Sequence, residues 1–328
     1  LFREEIAQKI DKSRIQSYNF EDPKYNDMTS WREVYDLIDK KLAKGELNYI
    51  FLDEVQDIPG FEKLLDGLYI NENIDLYVTG SNAYLLSSEL ATILTGRAYE
   101  INILPFSFRE FTQTYANSAD DSVKFEHFMR YSAFPQATEL MHQNPALVMN
   151  YLRSVYESIL VKDMLPRKQI YAERSFENVV NYVMDSIGSS LSPNGIARVL
   201  ASDNKTVDSR TVHSYLKSLC DSFVLYKAER FDIKGKQNLA TQEKYYVVDL
   251  GFRNLLLGKE VGQDAGHLLE NVIYLELRRR GNEIWVGKIG EREVDFVARD
   301  NEGYLTYYQV AYTVRDETVL ERELAPFD

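Results

Sequence analysis

The sequence predicts an α/β fold built on a parallel sheet, and two observations carry that expectation. Two apolar runs end in polar clusters: "YIFL" leads into Asp53-Glu54, and "LYV" leads into Thr79-Gly80-Ser81-Asn82. Runs of this kind read as strands buried on both faces, and parallel strands deliver their C-terminal ends to one edge. Stretches with helical spacing separate these runs, and strand–helix alternation is the pattern of a parallel sheet.

Taken in order, Leu1, Phe2, Ile6 and Ile10 fall at helical spacing in the opening "LFREEIAQKIDK". Residues 15–20 read as a strand. "TSWREVYDLIDKKLAKGE" reads as a helix capped by Thr29 or Ser30 and closed by Gly45. The strand ending at Asp53 follows, then a helix over 61–69, the strand ending in "TGSN", and a further strand, "AYEINIL", stopping at Pro105. From 107 to 165 the pattern turns helical. Phe108, Phe111 and Tyr115 share one face, and "FEHFMRYSAFPQATEL" and "YLRSVYESILVKDML" read as helices.

Three amphipathic stretches come next: "SFENVVNYVMDSIG", "SPNGIARVLA" and "DSRTVHSYLKSLCDS", the last with Val212, Tyr215, Leu216 and Leu219 on its apolar face. "FVLYKAERFD" and "KYYVVDLGF" then read as a hairpin, and three helices with a hairpin make the winged-helix pattern. Beyond residue 256, "HLLENVIYLELRRRG" reads as a helix ending at Gly281. "EIWVGKI", "REVDFVAR" and "GYLTYYQVAYT" read as three strands.

Composition bounds the function. A chain of 328 residues, 45% hydrophobic, suits two or three domains with real cores. The one cysteine, Cys220, excludes an intramolecular disulfide and a cysteine-rich zinc site. No apolar run reaches the roughly 20 residues that span a bilayer, and a cytoplasmic protein is expected. A net charge of −13 repels nucleic acid over the surface as a whole. Residues 196–240 run the other way, with eight Lys/Arg against five Asp/Glu, so any DNA contact is expected there, at Arg210 and Lys217 among others. His213 reads as a helix-surface residue, and the 23 tyrosines as half-buried packing.

The chemistry sits at the two strand ends. At a phosphate-binding edge, the first acid, Asp53, would order Mg²⁺ through water and the second, Glu54, would polarise an attacking water. The neighbouring strand would present Thr79, Ser81 or Asn82 to the phosphates. The plainer alternative is that Asp53-Glu54 is a solvated cap after a core strand.

"YIFLDEVQDIPGFEKLL", "LYVTGSNAYLLSSELATILTGRAYEINILPFSFREF", "LLENVIYLELRRRG" and "EREVDFVA" together resemble one family across nearly the whole chain. It is the prokaryotic AAA+ ATPases whose C-terminal part is a domain of unknown function with a restriction-endonuclease-like fold. The resemblance implies a P-loop NTPase (AAA+) core over 1–106, a helical lid over 107–170, a winged helix over 171–255 and a nuclease-like α/β domain over 256–328. It implies ATP and Mg²⁺ as cofactors, Asn82 or Ser81 as the γ-phosphate sensor, and Arg97 as a charge-stabilising arginine acting on a neighbouring subunit, with Arg109 in reserve. Oligomers, and DNA or protein partners of the winged helix, belong to the same expectation.

Two departures accompany it. No G-x-x-x-x-G-K-S/T occurs in these residues. That loop cradles phosphates with backbone N–H groups and a lysine, so it is expected upstream, the chain opening inside the helix that follows it; the nuclease-like part also reads as cut short. In the nuclease-like part, Glu270, Asp295 and Gln309 match the metal-binding positions of a PD-(D/E)xK core in order. However, Gln309 stands where an acid is expected and Ala311 where the lysine is. An amide is a weak ligand for hard cations and a missing lysine removes a transition-state donor. The expected function is therefore an ATPase that moves its C-terminal domains. A docking or nucleic-acid-binding regulator with a vestigial core is the alternative, and an active endonuclease is disfavoured.

Overall fold

The computed structural model describes residues 2–80, 96–115, 119–160, 173–203, 205, 207–235, 237–258, 264–290, 292–313, 315, 320–321 and 324–325. It divides into two compact units, Leu1–Glu100 and Ile101–Asp328.

Unit 1 contains α1 (Phe2–Ala7), β1 (Ile15–Asn19), α2 (Trp31–Asp39), β2 (Asn48–Asp53), α3 (Phe61–Tyr69) and β3 (Ile74–Val78). The strands pair in the order β1-β2-β3, all parallel, with Asn19 opposite Asp53 and Leu52 opposite Val78. Strand β2 alternates buried and half-buried residues, and Ile50 and Leu52 are sealed in a core with Val34 and Ile38 of α2 and Leu64, Leu65 and Leu68 of α3. The parallel α/β arrangement expected from the two apolar runs is thus present.

Its details differ in three places. Helix α2 is capped by Ser30 but ends at Asp39, well before Gly45. The buried Asn48 side chain captures the intervening loop, accepting from the Ala43 N–H and donating to the Ala43 and Glu46 carbonyls, so residues 43–46 turn rather than coil. Helix α1 stops at Ala7 and buries no residue, leaving Ile10 outside it. The expected strand over 98–104 forms no ladder, and Tyr99 and Ile103 are 90% and 85% exposed. A strand needs a neighbour to pair with its backbone groups, and no described strand of the sheet supplies one.

Unit 2 contains α4 (Phe108–Gln113), α5 (Asp121–Arg130), α6 (Pro135–Gln143), α7 (Ala146–Ile159), α8 (Glu173–Asp185), β4 (Ser190–Leu191), α9 (Pro193–Ser202), α10 (Ser209–Asp221), β5 (Leu225–Asp232), β6 (Gln237–Val247), α11 (Leu250–Leu257), α12 (Ala265–Arg279), β7 (Glu283–Ile289), β8 (Arg292–Arg299) and β9 (Leu305–Tyr308). "FEHFMRYSAFPQATEL" is split into α5 and α6, because Pro135 at the first turn of α6 can begin a helix but not continue one. Strand β9 ends at Tyr308, so Gln309 and Ala311 lie just past it rather than within it. Helix α12 ends as expected before Gly281, whose φ of +78° suits glycine.

The strands of unit 2 form one six-stranded sheet in the order β4-β6-β5-β7-β8-β9. Strand β5 is the seam. It pairs antiparallel with β6 through Leu225–Val247 and parallel with β7 through Glu229–Trp285. Among the described residues one hydrophobic cluster runs from Phe111 through Leu152, Val183 and Leu219 to Phe296. The 255/256 position falls inside α11, and 170/171 lies outside the described residues.

Helix α11 is the junction. The Arg253 Nε donates to the Met184 carbonyl at 3.0 Å and its Nη2 meets Asp264 Oδ2 at 2.6 Å. Asn254 Nδ2 donates to the carbonyls of Met129 and Arg130. Asp249 caps the helix, accepting from the Gly251 N–H at 2.9 Å and, across 116 residues of sequence, from the Ala133 N–H at 2.7 Å. A Cβ at Gly251 would lie 1.9 Å from the Tyr131 carbonyl oxygen, so only glycine allows this approach.

Burial raises the Asp249 carboxyl to about 6 from 3.8, although the N–H groups of Ala133, Gly251 and Phe252 pull it down. Between those values the native state holds a proton that the unfolded chain has released. The contribution of Asp249 to stability therefore falls as pH rises from about 4 to about 6 and levels off above, by at most about 3 kcal/mol. In urea denaturation across this range the wild type should lose more stability with rising pH than Asp249→Asn does, by this amount, while the share of Asp295, also raised to about 6, stays in both; identical slopes would show that Asp249 contributes nothing to the pH dependence.

Candidate functional site

The C-terminal edge of the unit 1 sheet is assembled by register. Because Leu52 lies opposite Val78, the next residues of each strand, Asp53 and Thr79, emerge side by side. The Thr79 N–H donates to the Leu52 carbonyl at 2.8 Å, and the Thr79 hydroxyl donates to Asp53 Oδ1. On the other flank the Phe20 N–H donates to the Asp53 carbonyl at 3.0 Å. Both acids of the pair are half-buried.

Glu54 turns the chain sharply. It sits at φ 54°, ψ 46°, a left-handed conformation that L side chains rarely adopt, and opens the 3-10 turn Val55–Asp57 without capping it. Its Oε2 instead accepts from Gln56 Nε2. The buried Gln56 Oε1 has no hydrogen-bond partner among the described residues. An acceptor buried without a donor is costly, about 1–3 kcal/mol, and it lies on the side chain that grips the Glu54 carboxylate.

Of the other expected site residues, Ser81 and Asn82 lie outside the described residues. Arg97 pairs with Asp66 at 3.4 Å and lies over the Tyr69 ring at 5.3 Å. Both partners are on the last turns of α3, the crossover that begins beyond the Asp53 edge and returns to the start of β3. Arg97 is therefore held at the opposite edge of the sheet from Asp53 and Glu54. Arg109 belongs to unit 2, exposed on α4.

The second candidate site lies in unit 2. Glu270 on α12 is buried and accepts at Oε1 from Lys244 Nζ at 2.9 Å and from the Tyr246 hydroxyl at 2.6 Å; His267 Nδ1 is 3.9 Å from Oε2. Lys244 also meets Glu293 Oε1 at 2.8 Å, and Arg230 Nη2 reaches Glu293 Oε2 at 3.4 Å. Asp295 Oδ2 accepts from the Val310 N–H at 2.7 Å, while Gln309 Oε1 accepts from the Asp295 N–H at 3.3 Å. Burial drives Asp295 up to about 6, with Glu270 and Glu293 adding to the rise against Val310 and Lys244. Glu270, by contrast, is held below its usual value: burial pushes it up, but His267, Lys244 and Tyr246 outweigh that.

Sequence reasoning missed Lys244, Tyr246, His267 and Glu293. The signal was present in "EKYYVV", where Lys244 and Tyr246 share one strand face inside an otherwise apolar run. What the sequence lacked was the pairing that sets this face against α12. Gln56 was missed as well, since nothing in "LDEVQD" distinguishes a gripping amide from a solvated one.

Comparison with known proteins adds the following. Residues 1–112 match a family described as an AAA domain, and residues 122–262 match a domain of unknown function, DUF8612. An uncharacterized protein of Haemophilus influenzae is 34% identical over 324 residues, covering 97% of this chain and 79% of that protein. The uncharacterized protein MJ1544 of Methanocaldococcus jannaschii is 27% identical over 338 residues, covering 99% of this chain and 74% of that protein. Among solved structures, the Walker-type ATPase paby2304 of Pyrococcus abyssi aligns with a TM-score of 0.46 at 14% identity, over 78% of this chain and 75% of that one. Matched along 97% of its residues, the chain belongs to the same family as the Haemophilus influenzae protein, and its own residues 1–112 carry the AAA domain match.

Proposed function

We propose that the protein is an ATPase whose catalytic edge is the one formed by β2 and β3. The observation that carries this reading is the contact of the Asp53 carboxylate with the Thr79 hydroxyl at adjacent parallel strand ends, with Glu54 beside it in a strained conformation. Strain of this kind, worth about 1–3 kcal/mol, persists where the surroundings enforce it and gathers at functional sites. The donor set suits Mg²⁺ held mainly through water and nucleotide phosphates, since Mg²⁺ needs only one or two protein carboxylates. Among the described residues no three His, Cys, Asp or Glu side chains gather into a self-sufficient metal site.

Mg-ATP, when bound, supplies the phosphoryl group and the charge that neutralises it. Asp53 would orient the ion's water, with Thr79 fixing the carboxylate. Glu54 would take the proton of the attacking water, and Gln56, whose amide donates to Glu54, would hold its carboxylate in place. Ser81 or Asn82 would contact the γ-phosphate. Arg97, tied to α3, would serve a neighbouring subunit's nucleotide rather than its own. The phosphate cradle that this reading also requires is not among these 328 residues.

In unit 2, α8, α9, α10 and the β4-β6-β5 strands would form the winged-helix module expected from the sequence, an assignment that their order supports. We read this module as a protein-docking element rather than a DNA reader. Lys217 is tied to Asp221 at 3.4 Å, and Lys227 to Glu229 and Glu243 at 3.0 and 3.1 Å, so these cations already have acidic partners. Turnover in unit 1 would act on this module together with the rest of unit 2.

Three outcomes test these readings. The full-length protein should hydrolyse ATP with Mg²⁺, and Glu54→Gln should retain nucleotide while losing at least about tenfold in turnover; undiminished hydrolysis by the variant would remove Glu54 from the mechanism. Glu54→Gly should also lose turnover, yet raise stability in denaturant melts by about 1 kcal/mol through relief of the left-handed strain; a loss of stability would show that its side chain is structural. Filter binding at low salt should detect no DNA association; tight, salt-sensitive retention weakened by charge reversal at Arg210 would favour nucleic acid over protein as the partner.

A further inference from the structure

The nuclease-like resemblance places a divalent cation among Glu270, Asp295 and Gln309, and the residues do not fit one. A Mg²⁺ site needs carboxylate oxygens that can turn toward a common point. Glu270 Oε1 already accepts two donors, from Lys244 and Tyr246, and His267 lies against Oε2. Asp295 spends Oδ2 on the Val310 N–H. Gln309 is neutral, and its carbonyl oxygen accepts from the Asp295 backbone. The cation already at the centre is the Lys244 ammonium, 5% exposed, with contacts of 2.9 Å to Glu270 and 2.8 Å to Glu293.

We infer that the Lys244 ammonium takes the place of the metal, making the cluster a metal-independent clasp that locks the β5–β6 hairpin to α12 and β8. The placement of the charges supports this. Both cations come from the hairpin, Arg230 from β5 and Lys244 from β6, and both grip Glu293 of β8. Glu270 of α12 closes the other side. The Arg230 guanidinium is held further by Gln242 Oε1 at 2.6 Å, on a residue whose φ of 62° marks a break in the β6 ladder. The winged-helix-like module and the nuclease-like strands are thereby one mechanical body: the clasp joins the hairpin to α12 and β8 through side chains, and the β5–β7 pairing joins it to β7 through the backbone.

The clasp is open to a direct test on the full chain without nucleotide. Mn²⁺ association is read by depletion of the free-ion electron paramagnetic resonance signal, and stability by thermal melts in EDTA and in millimolar Mn²⁺. The wild type should melt at the same temperature in both, and Asp295→Asn should not change its Mn²⁺ uptake. Lys244→Ala removes the internal cation and leaves the Glu270 and Glu293 carboxylates without it. It should melt several degrees lower in EDTA, take up Mn²⁺ that the wild type does not, and regain part of the lost melting temperature on doing so. Lys244→Arg, which keeps the charge, should stay indifferent to Mn²⁺. Wild-type Mn²⁺ binding that disappears in Asp295→Asn would overturn the inference and restore a metal site. Should Lys244→Ala not fold, the wild-type, Asp295→Asn and Lys244→Arg measurements decide the matter alone.

Discussion

The candidate site of unit 1 depends on one constraint, the parallel register of β2 and β3. Fixing Leu52 opposite Val78 places Asp53 beside Thr79 with no further adjustment. A slip of one residue would turn Ile50 and Leu52 out of the core, because side chains alternate faces along a strand. The register is therefore enforced by burial. Ile50, Leu52, Leu64, Leu65 and Leu68 are all at most 2% exposed, and at roughly 2 kcal/mol each they contribute about 10 kcal/mol. That exceeds the strain of a left-handed Glu54 several-fold, so the core can impose the turn that projects the second acid.

Unit 2 rests on a different kind of constraint. Its segments change in sequence character, from helical to winged-helix-like to strand-rich, yet they share one core and one sheet. Polar contacts of long sequence separation make the joins. Asp249 reaches Ala133, Asn254 reaches Met129 and Arg130, and Lys244 reaches Glu270. All but the part-buried Arg130 contact are buried, where a broken bond leaves an unsatisfied group costing about 1–3 kcal/mol, more when charged. Loosening one of these segments therefore disturbs the others. A nucleotide-dependent signal would find a single responsive body here.

Much of this was legible in the residues. The helix over 61–69, the cap at Ser30, the apolar face of Val212, Tyr215, Leu216 and Leu219, and the helix stop at Gly281 follow from local patterning, and the structure contains them. The meeting of Asp53 and Thr79 was legible too, because parallel strands leave little freedom in where their ends go. The failures share a cause. The expected strand over 98–104 has the right composition but no partner, and pairing is not a local property. Gly45 looked like a helix stop, yet Asn48, reaching back to Ala43, ends the regular coil earlier. Lys244 was invisible as a site residue because its role is set by α12, more than twenty residues downstream.

The claim on which the functional account stands is that the β2–β3 edge binds Mg-nucleotide through Asp53. Titration of a fluorescent ATP analogue into the full-length protein, with Mg²⁺ and with EDTA, tests it most directly. The account predicts tighter binding with Mg²⁺ in the wild type, and an Asp53→Asn variant whose affinity is the same with and without the ion. Equal Mg²⁺ enhancement in both proteins would contradict it, and would place the nucleotide's metal somewhere other than the end of β2.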